Sequence, residues 1–131
     1  MTLSRLAAQF AAEINQQDWS DAHIRADRAG HRRDRDRPGS AEKVLSPAEA
    51  EKVKINAAWV TAQVLGYNDS NFDPHEFFKA CGVSDQWLWN RDGQRSGFVA
   101  AGLRTRTGLA GEVEYQVPGM WGCWEGAPIV D

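Results

Sequence analysis

Ser46-Pro47-Ala48-Glu49 and, further on, Asn71-Phe72-Asp73-Pro74-His75-Glu76-Phe77-Phe78-Lys79-Ala80-Cys81-Gly82 decide the fold of this 131-residue chain. Ser46 offers a capping hydroxyl, Pro47 suits the first helical position, and Glu49 stands three residues after the cap. Behind them Ala50, Val53, Ala57, Val60 and Val64 recur at steps of three and four, and Ile55, Trp59, Ala62 and Leu65 widen the stripe. That spacing predicts the most buried helix of the chain, ended by Gly66 in a left-handed cap. Asp73 opens a second helix with Glu76 three residues on, and Phe72 and Phe77 flank the cap as a hydrophobic staple. This helix ends at Cys81-Gly82. The intervening Tyr67-Asn68-Asp69-Ser70-Asn71 is turn-forming, so the two helices make a hairpin.

Upstream, Leu3, Leu6, Phe10 and Ile14 place one apolar stripe on a short helix over residues 4–17, with Ala7, Ala8, Ala11 and Ala12 beside it. A stripe so narrow needs cover, from the rest of the chain or from a second copy, which makes a homodimer one expected assembly. Next, residues 21–37 hold six arginines and four aspartates in alternation. Mixed signs at helical spacing point to a solvated, salt-bridged helix. Its expected course runs from about Ser20, frays beyond Gly30, and passes into a mobile linker over about residues 34–45 through Pro38-Gly39-Ser40.

Downstream the composition changes: nine of the twelve glycines and four of the six tryptophans lie from Gly82 onward. Glu112-Val113-Glu114-Tyr115-Gln116-Val117 alternates with period two, as a half-buried strand does. Gln86-Trp87-Leu88-Trp89 and Phe98-Val99-Ala100 read as further strands about a turn at Asn90-Arg91-Asp92-Gly93, with a helix over residues 97–105 as the alternative. Met120-Trp121-Gly122-Cys123-Trp124 suits a short strand or an aromatic loop. The expectation is therefore α+β in a single domain, residues 1–131. A helical part, 1–83, contains the hairpin and packs against a Gly/Trp-rich part, 84–131, with a small antiparallel sheet.

Several function classes are disfavoured by composition. No apolar run approaches the roughly 20 residues of a membrane helix, and Met1-Thr2-Leu3-Ser4-Arg5 lacks the layout of a secretory signal. The expectation is a cytoplasmic protein with no membrane partner. A net charge of −3 argues against a dominant nucleic-acid footprint. Two cysteines are too few for a disulfide scaffold or an all-Cys zinc site.

Three groups of residues remain as candidate sites. His23, Asp27 and His31, spaced four and four, share a face of an unbroken helix and are suitable metal ligands, against the plainer reading of a polar face. Arg25, Arg28 and Arg32, with the other arginines of the tract, are candidates for phosphate contact, opposed by the interleaved aspartates. Trp87, Trp89, Trp121 and Trp124, with Met120 beside them, are many for so short a stretch. Core filling accounts for about half of the four, an interface anchor or a base-stacking platform for the rest, and one Trp of the Gly-rich 118–124 stretch is expected to be an exposed contact residue. Catalysis has little support: Cys81 lies at a helix C-terminus, and no nucleophile elbow, phosphate loop or dinucleotide fingerprint occurs. No cofactor is called for.

The stretch from Val60-Thr61-Ala62-Gln63-Val64-Leu65 through Asn71-Phe72-Asp73-Pro74 to Ala80-Cys81-Gly82-Val83 resembles a recurring feature of small accessory proteins of actinobacterial phages. Asp18-Trp19-Ser20-Asp21 and the Ala/Arg-rich composition are similar to that group as well. The resemblance implies a viral protein acting in the cytoplasm of a host, and carries over no catalytic residue. The resulting expectation is a non-enzymatic protein that binds a host or viral protein. A nucleic-acid binder and a metal-dependent enzyme are the alternatives.

Overall fold

A computed structural model describes residues 3–36, 43–122 and 124. The chain runs through α1 (Arg5–Gln16), a single turn α2 (Arg33–Asp36), α3 (Pro47–Asn68), α4 (Pro74–Ala80), and two further single turns, α5 (Asp85–Leu88) and α6 (Phe98–Ala101). An antiparallel pair follows, β1 (Thr105–Thr107) and β2 (Val113–Tyr115), with Thr105 opposite Tyr115, Arg106 opposite Glu114 and Thr107 opposite Val113. The fold is α+β: helices come first, α3 and α4 form the hairpin, and the small sheet rests on α3 through β2. No helix among the described residues is long and apolar enough to cross a membrane.

The hairpin follows from its caps. Ser46 Oγ accepts from the Glu49 amide at 3.2 Å while Glu49 Oε1 accepts from the Ser46 amide at 2.9 Å, a complete reciprocal box. At α4 only half of the box forms. Asp73 Oδ1 accepts from the His75 and Glu76 amides, but the Glu76 carboxylate lies 3.5 Å from Arg95 instead. Phe72 and Phe77 meet at 5.5 Å between ring centroids, as the staple requires. Gly82, at φ +85°, turns the chain out of α4.

Gly66 has a different role from the cap expected of it. Helix α3 continues through it to Asn68, and a Cβ at Gly66 would collide with the ring of Tyr115. This glycine lets β2 approach the helix closely.

The faces presented to the core also differ from expectation. On α1 the buried residues are Ala7, Ala11 and Ile14, whereas Leu6 is 57% exposed and Phe10 also faces out. Small residues allow α1 to lie close on α3 and α4, and geometry outranks hydrophobicity there. On α3 the core takes Ile55, Ala58, Ala62 and Leu65, leaving Val60 and Val64 on the outside. Phe77, Phe78, Cys81 and Leu88 fill the centre. Trp59 lies across the edge, its ring 5.7 Å from Phe78 and 4.9 Å from Phe98, and its Nε1 donates to the Val99 carbonyl at 2.9 Å.

The strands expected at residues 86–89 and 98–100 are helical turns. Glu51 of α3 explains the first: its carboxylate accepts from the Ser84 amide, the Ser84 hydroxyl and Trp87 Nε1, each at 2.9 Å, and so holds the start of α5 against α3. The second, α6, is the shorter form of the helical alternative. Between them the 90–93 turn is present, with Gly93 at φ +84° and the Asn90 amide donating to the Gln94 carbonyl at 2.7 Å. A single antiparallel bridge joins Trp89 to Arg95.

Candidate functional site

Two places concentrate chemistry: the charged segment after α1 and an apolar cleft on the outer face of α3. The charged segment is not a helix. Residues 18–32 form turns closed at the neck, where the Asp18 amide donates to the His31 carbonyl at 3.0 Å. Gln17 Oε1 accepts from the Gly30 and His31 amides, and Gln17 Nε2 donates to the Arg28 carbonyl. Inside this loop Asp21 is 1% exposed and His31 2% exposed. Arg25 bridges Asp21 at 2.5 Å and Asp27 at 2.7 Å, Arg33 Nε lies 3.2 Å from Asp21 Oδ1, and His31 Nδ1 lies 3.2 Å from Asp36 Oδ2. Asp36 also accepts from the Arg32 amide and from Arg28, which together hold its carboxyl down at about 2.

Those contacts bear on the metal and phosphate readings of the segment. A metal-ligating trio does exist, but it consists of Asp21, Asp27 and His31, with ligand atoms within 4.8 Å of one another. His23 points elsewhere, its Nε2 3.1 Å from the Lys43 carbonyl. The non-helical path of the chain destroys the i, i+4, i+8 face and brings Asp21 in instead. The guanidinium of Arg25 already sits among the three, 3.1 Å from His31 Nε2 and bonded to both carboxylates. A cation would have to evict it, so the donor set does not fit a metal ion as it stands. Of the arginines, Arg25 is committed to Asp21 and Asp27, whereas Arg28, paired with Asp36, and Arg32, 3.7 Å from Asp34, stay largely in solvent. Of the linker expected over residues 34–45, residues 34–36 belong to α2, and the Leu45 amide donates to the Ser20 carbonyl at 3.0 Å. Pro38, Gly39 and Ser40 lie outside the described residues.

The cleft is built differently. Val60 and Val64 stand one helical turn apart on α3, with Gln63 between them on the side toward the sheet. Gln63 is spent on backbone: its Oε1 accepts from the Arg104 amide, and its Nε2 donates to the carbonyls of Arg104 and Gln116. Those bonds pin the strand ends to α3. Gly102 closes on the Trp59 ring, where no side chain would fit.

Opposite α3, the Met120 amide donates to the Val117 carbonyl at 3.1 Å, with Pro118 second and Gly119, at φ +77°, third in the turn. Proline then a positive-φ glycine is the type II pattern, and it projects the residue that follows Met120. That residue is Trp121, 84% exposed. Its ring lies under the Arg104 guanidinium, 5.0 Å from the centroid, a cation–π contact that holds the indole in place. Together with Val60, 72% exposed, these residues line a cleft of about 280 Å³.

The structure separates the aromatic candidates. Trp87 and Trp89 pack on the core: Trp87 bonds to Glu51 and lies 4.8 Å from Phe98, while Trp89 meets the His75 ring edge-on at 4.7 Å. Trp124 is half-buried beneath Arg106, at 4.4 Å, and bridges to Gln116. Met120 and Trp121 are exposed, and Trp121 alone of the four tryptophans named from the sequence lines the cleft. Val60, Gln63, Val64, Arg104 and Pro118 were not singled out as site residues. The signal for two of them was present: α3 carries more apolar positions than one buried face can use, and the surplus is the cleft wall. Cys81 is fully buried, and burial pushes its thiol up to about 12 against the opposing charge of Lys54, so it offers no nucleophile. No family model, curated protein or solved structure matches this chain.

Proposed function

We propose that this chain works by binding another protein on the cleft between α3 and the Pro118-Gly119-Met120-Trp121 turn, rather than by catalysis. The carrying observation is Trp121, a large indole kept in solvent and braced by Arg104 beside two exposed valines of α3. Exposed apolar side chains grouped around an aromatic residue are the usual makings of an interface anchor. The buried Asp21–His31 centre of the charged loop, with Arg25 inserted between its carboxylates, supports the same reading, because it gives that centre a structural part. The resemblance of residues 60–83 to phage accessory proteins supports a viral origin and a partner of host or viral type, met in the host cytoplasm.

A pull-down with the tagged chain and two variants, Trp121→Ala and Val60→Asp, tests this. The expected result is a saturable partner retained by the parent chain and lost by both variants. A partner held equally by all three chains refutes the cleft as the binding surface.

A further inference from the structure

We infer that the cleft selects a protein segment presenting an apolar side chain next to a carboxylate, an inference that rests on the cleft being the binding surface. Arg104 carries it. The Nε of Arg104 donates to Gln116 Oε1 at 3.0 Å, and its guanidinium lies over Trp121. Its two terminal amino groups meet no acceptor among the described residues. A guanidinium anchored at one nitrogen and stacked on an indole is pre-organised to take a carboxylate with the remaining two.

Its neighbour Arg106 is closed off, with Nε and a terminal nitrogen both on Glu114 Oε2, at 3.1 and 2.9 Å. Among the described residues the cleft therefore offers one cation without an acidic partner, Arg104, beside an apolar floor. That balance fits a single negative charge and opposes a polyphosphate chain, whose affinity grows with the number of phosphates neutralised. A nucleobase would also need hydrogen-bonding groups, and the Gln63 amide is already spent on backbone. At about 280 Å³ the cleft lies at the small end of ligand cavities, with room for one or two side chains. The complementary partner is thus a short stretch of polypeptide with an aliphatic residue beside Asp or Glu.

The test uses the full chain with its tryptophan indoles labelled with 15N, the Trp121 signal being assigned with Trp121→Phe. Three blocked peptides are titrated: acetyl-Leu-Leu-Asp-amide, acetyl-Leu-Leu-Asn-amide and acetyl-Ala-Ala-Asp-amide, with a thymidine oligonucleotide in parallel. The Leu-Leu-Asp peptide is expected to shift the Trp121 indole and to bind about tenfold tighter than its Asn counterpart, the value of one charge-assisted hydrogen bond. Arg104→Gln brings that ratio to about one, while Arg104→Lys keeps part of it. Both variants leave the backbone bonds of residue 104 to Gln63 in place. Equal affinity for the Asp and Asn peptides overturns the inference while the cleft still binds. So does equal affinity of Ala-Ala-Asp and Leu-Leu-Asp, or tighter binding of the oligonucleotide. No Trp121 shift with any peptide also overturns it, and the pull-down alone then decides whether the cleft is a binding surface.

Discussion

Replacing Asp21 with Asn tests whether the charged loop is a folded part of the protein. The side chain is 1% exposed and stands against three positive or ionisable partners: Arg25 at 2.5 Å, His31 Nε2 at 3.1 Å and Arg33 Nε at 3.2 Å. An amide keeps the volume and one acceptor oxygen but removes the negative charge that faces Arg25 and Arg33, leaving Asp27 as the remaining carboxylate on Arg25. Breaking a buried ion pair by removing one partner costs about 3–5 kcal/mol. The retained oxygen and the solvent reaching Arg33 place the expected loss at the lower end, ~3 kcal/mol. For a chain of this length that lowers Tm by roughly 10 °C.

The control is Arg28→Ala, which breaks the Arg28–Asp36 pair on a largely exposed side chain and is expected to cost under about 1 kcal/mol. Urea unfolding followed by circular dichroism gives the global change. Hydrogen exchange at the Asp18 and His31 amides gives the local one, because both are bonded across the neck of the loop. If Asp21→Asn matches the parent in both stability and amide protection, the buried network is not what holds this segment.

Two further outcomes follow from the packing of α3. Burial pushes the Glu51 carboxyl up, but hydrogen bonds from the Ser84 amide, Trp87 and the Ser84 hydroxyl, helped by Lys54, outweigh it and hold the group below its ordinary 4.5. A depressed acid contributes stability above its unfolded pKa and loses it as pH falls through the folded one. Glu51→Ala is thus expected to cost ~2 kcal/mol at pH 7, and the gap to the parent should close as pH falls below 4.5 in thermal melts at stepped pH. A gap independent of pH refutes the charge as its source. Gly66→Ala places a methyl against the Tyr115 ring and is expected to destabilise by about 1–3 kcal/mol despite alanine's better helix propensity. Stabilisation in urea unfolding would show that β2 does not need the close approach.

The readable parts of this chain were those whose physics is local. A cap, a staple and a positive-φ glycine act within four residues, so Ser46 with Glu49, Phe72 with Phe77, and Gly82 announce the α3–α4 hairpin directly. The alternation around Val113-Glu114-Tyr115 likewise announces a strand, and the glycines of the 118–124 stretch an exposed indole. Other features depend on partners far along the chain. Ala7 and Ala11 rather than Leu6 and Phe10 face inward because α1 must fit closely on α3 and α4, a constraint absent from the α1 stripe. Asp21 meets His31 across ten residues because the chain turns instead of continuing as a helix, so a helical face misplaced His23 and missed Asp21. Gly66 reads as a stop until Tyr115, 49 positions later in sequence, arrives to occupy the space above it. Local sequence settled the caps of α3 and α4 and the turn between them; which faces meet, and hence which hydrophobic residues are left over to form a cleft, was settled only by packing at long range.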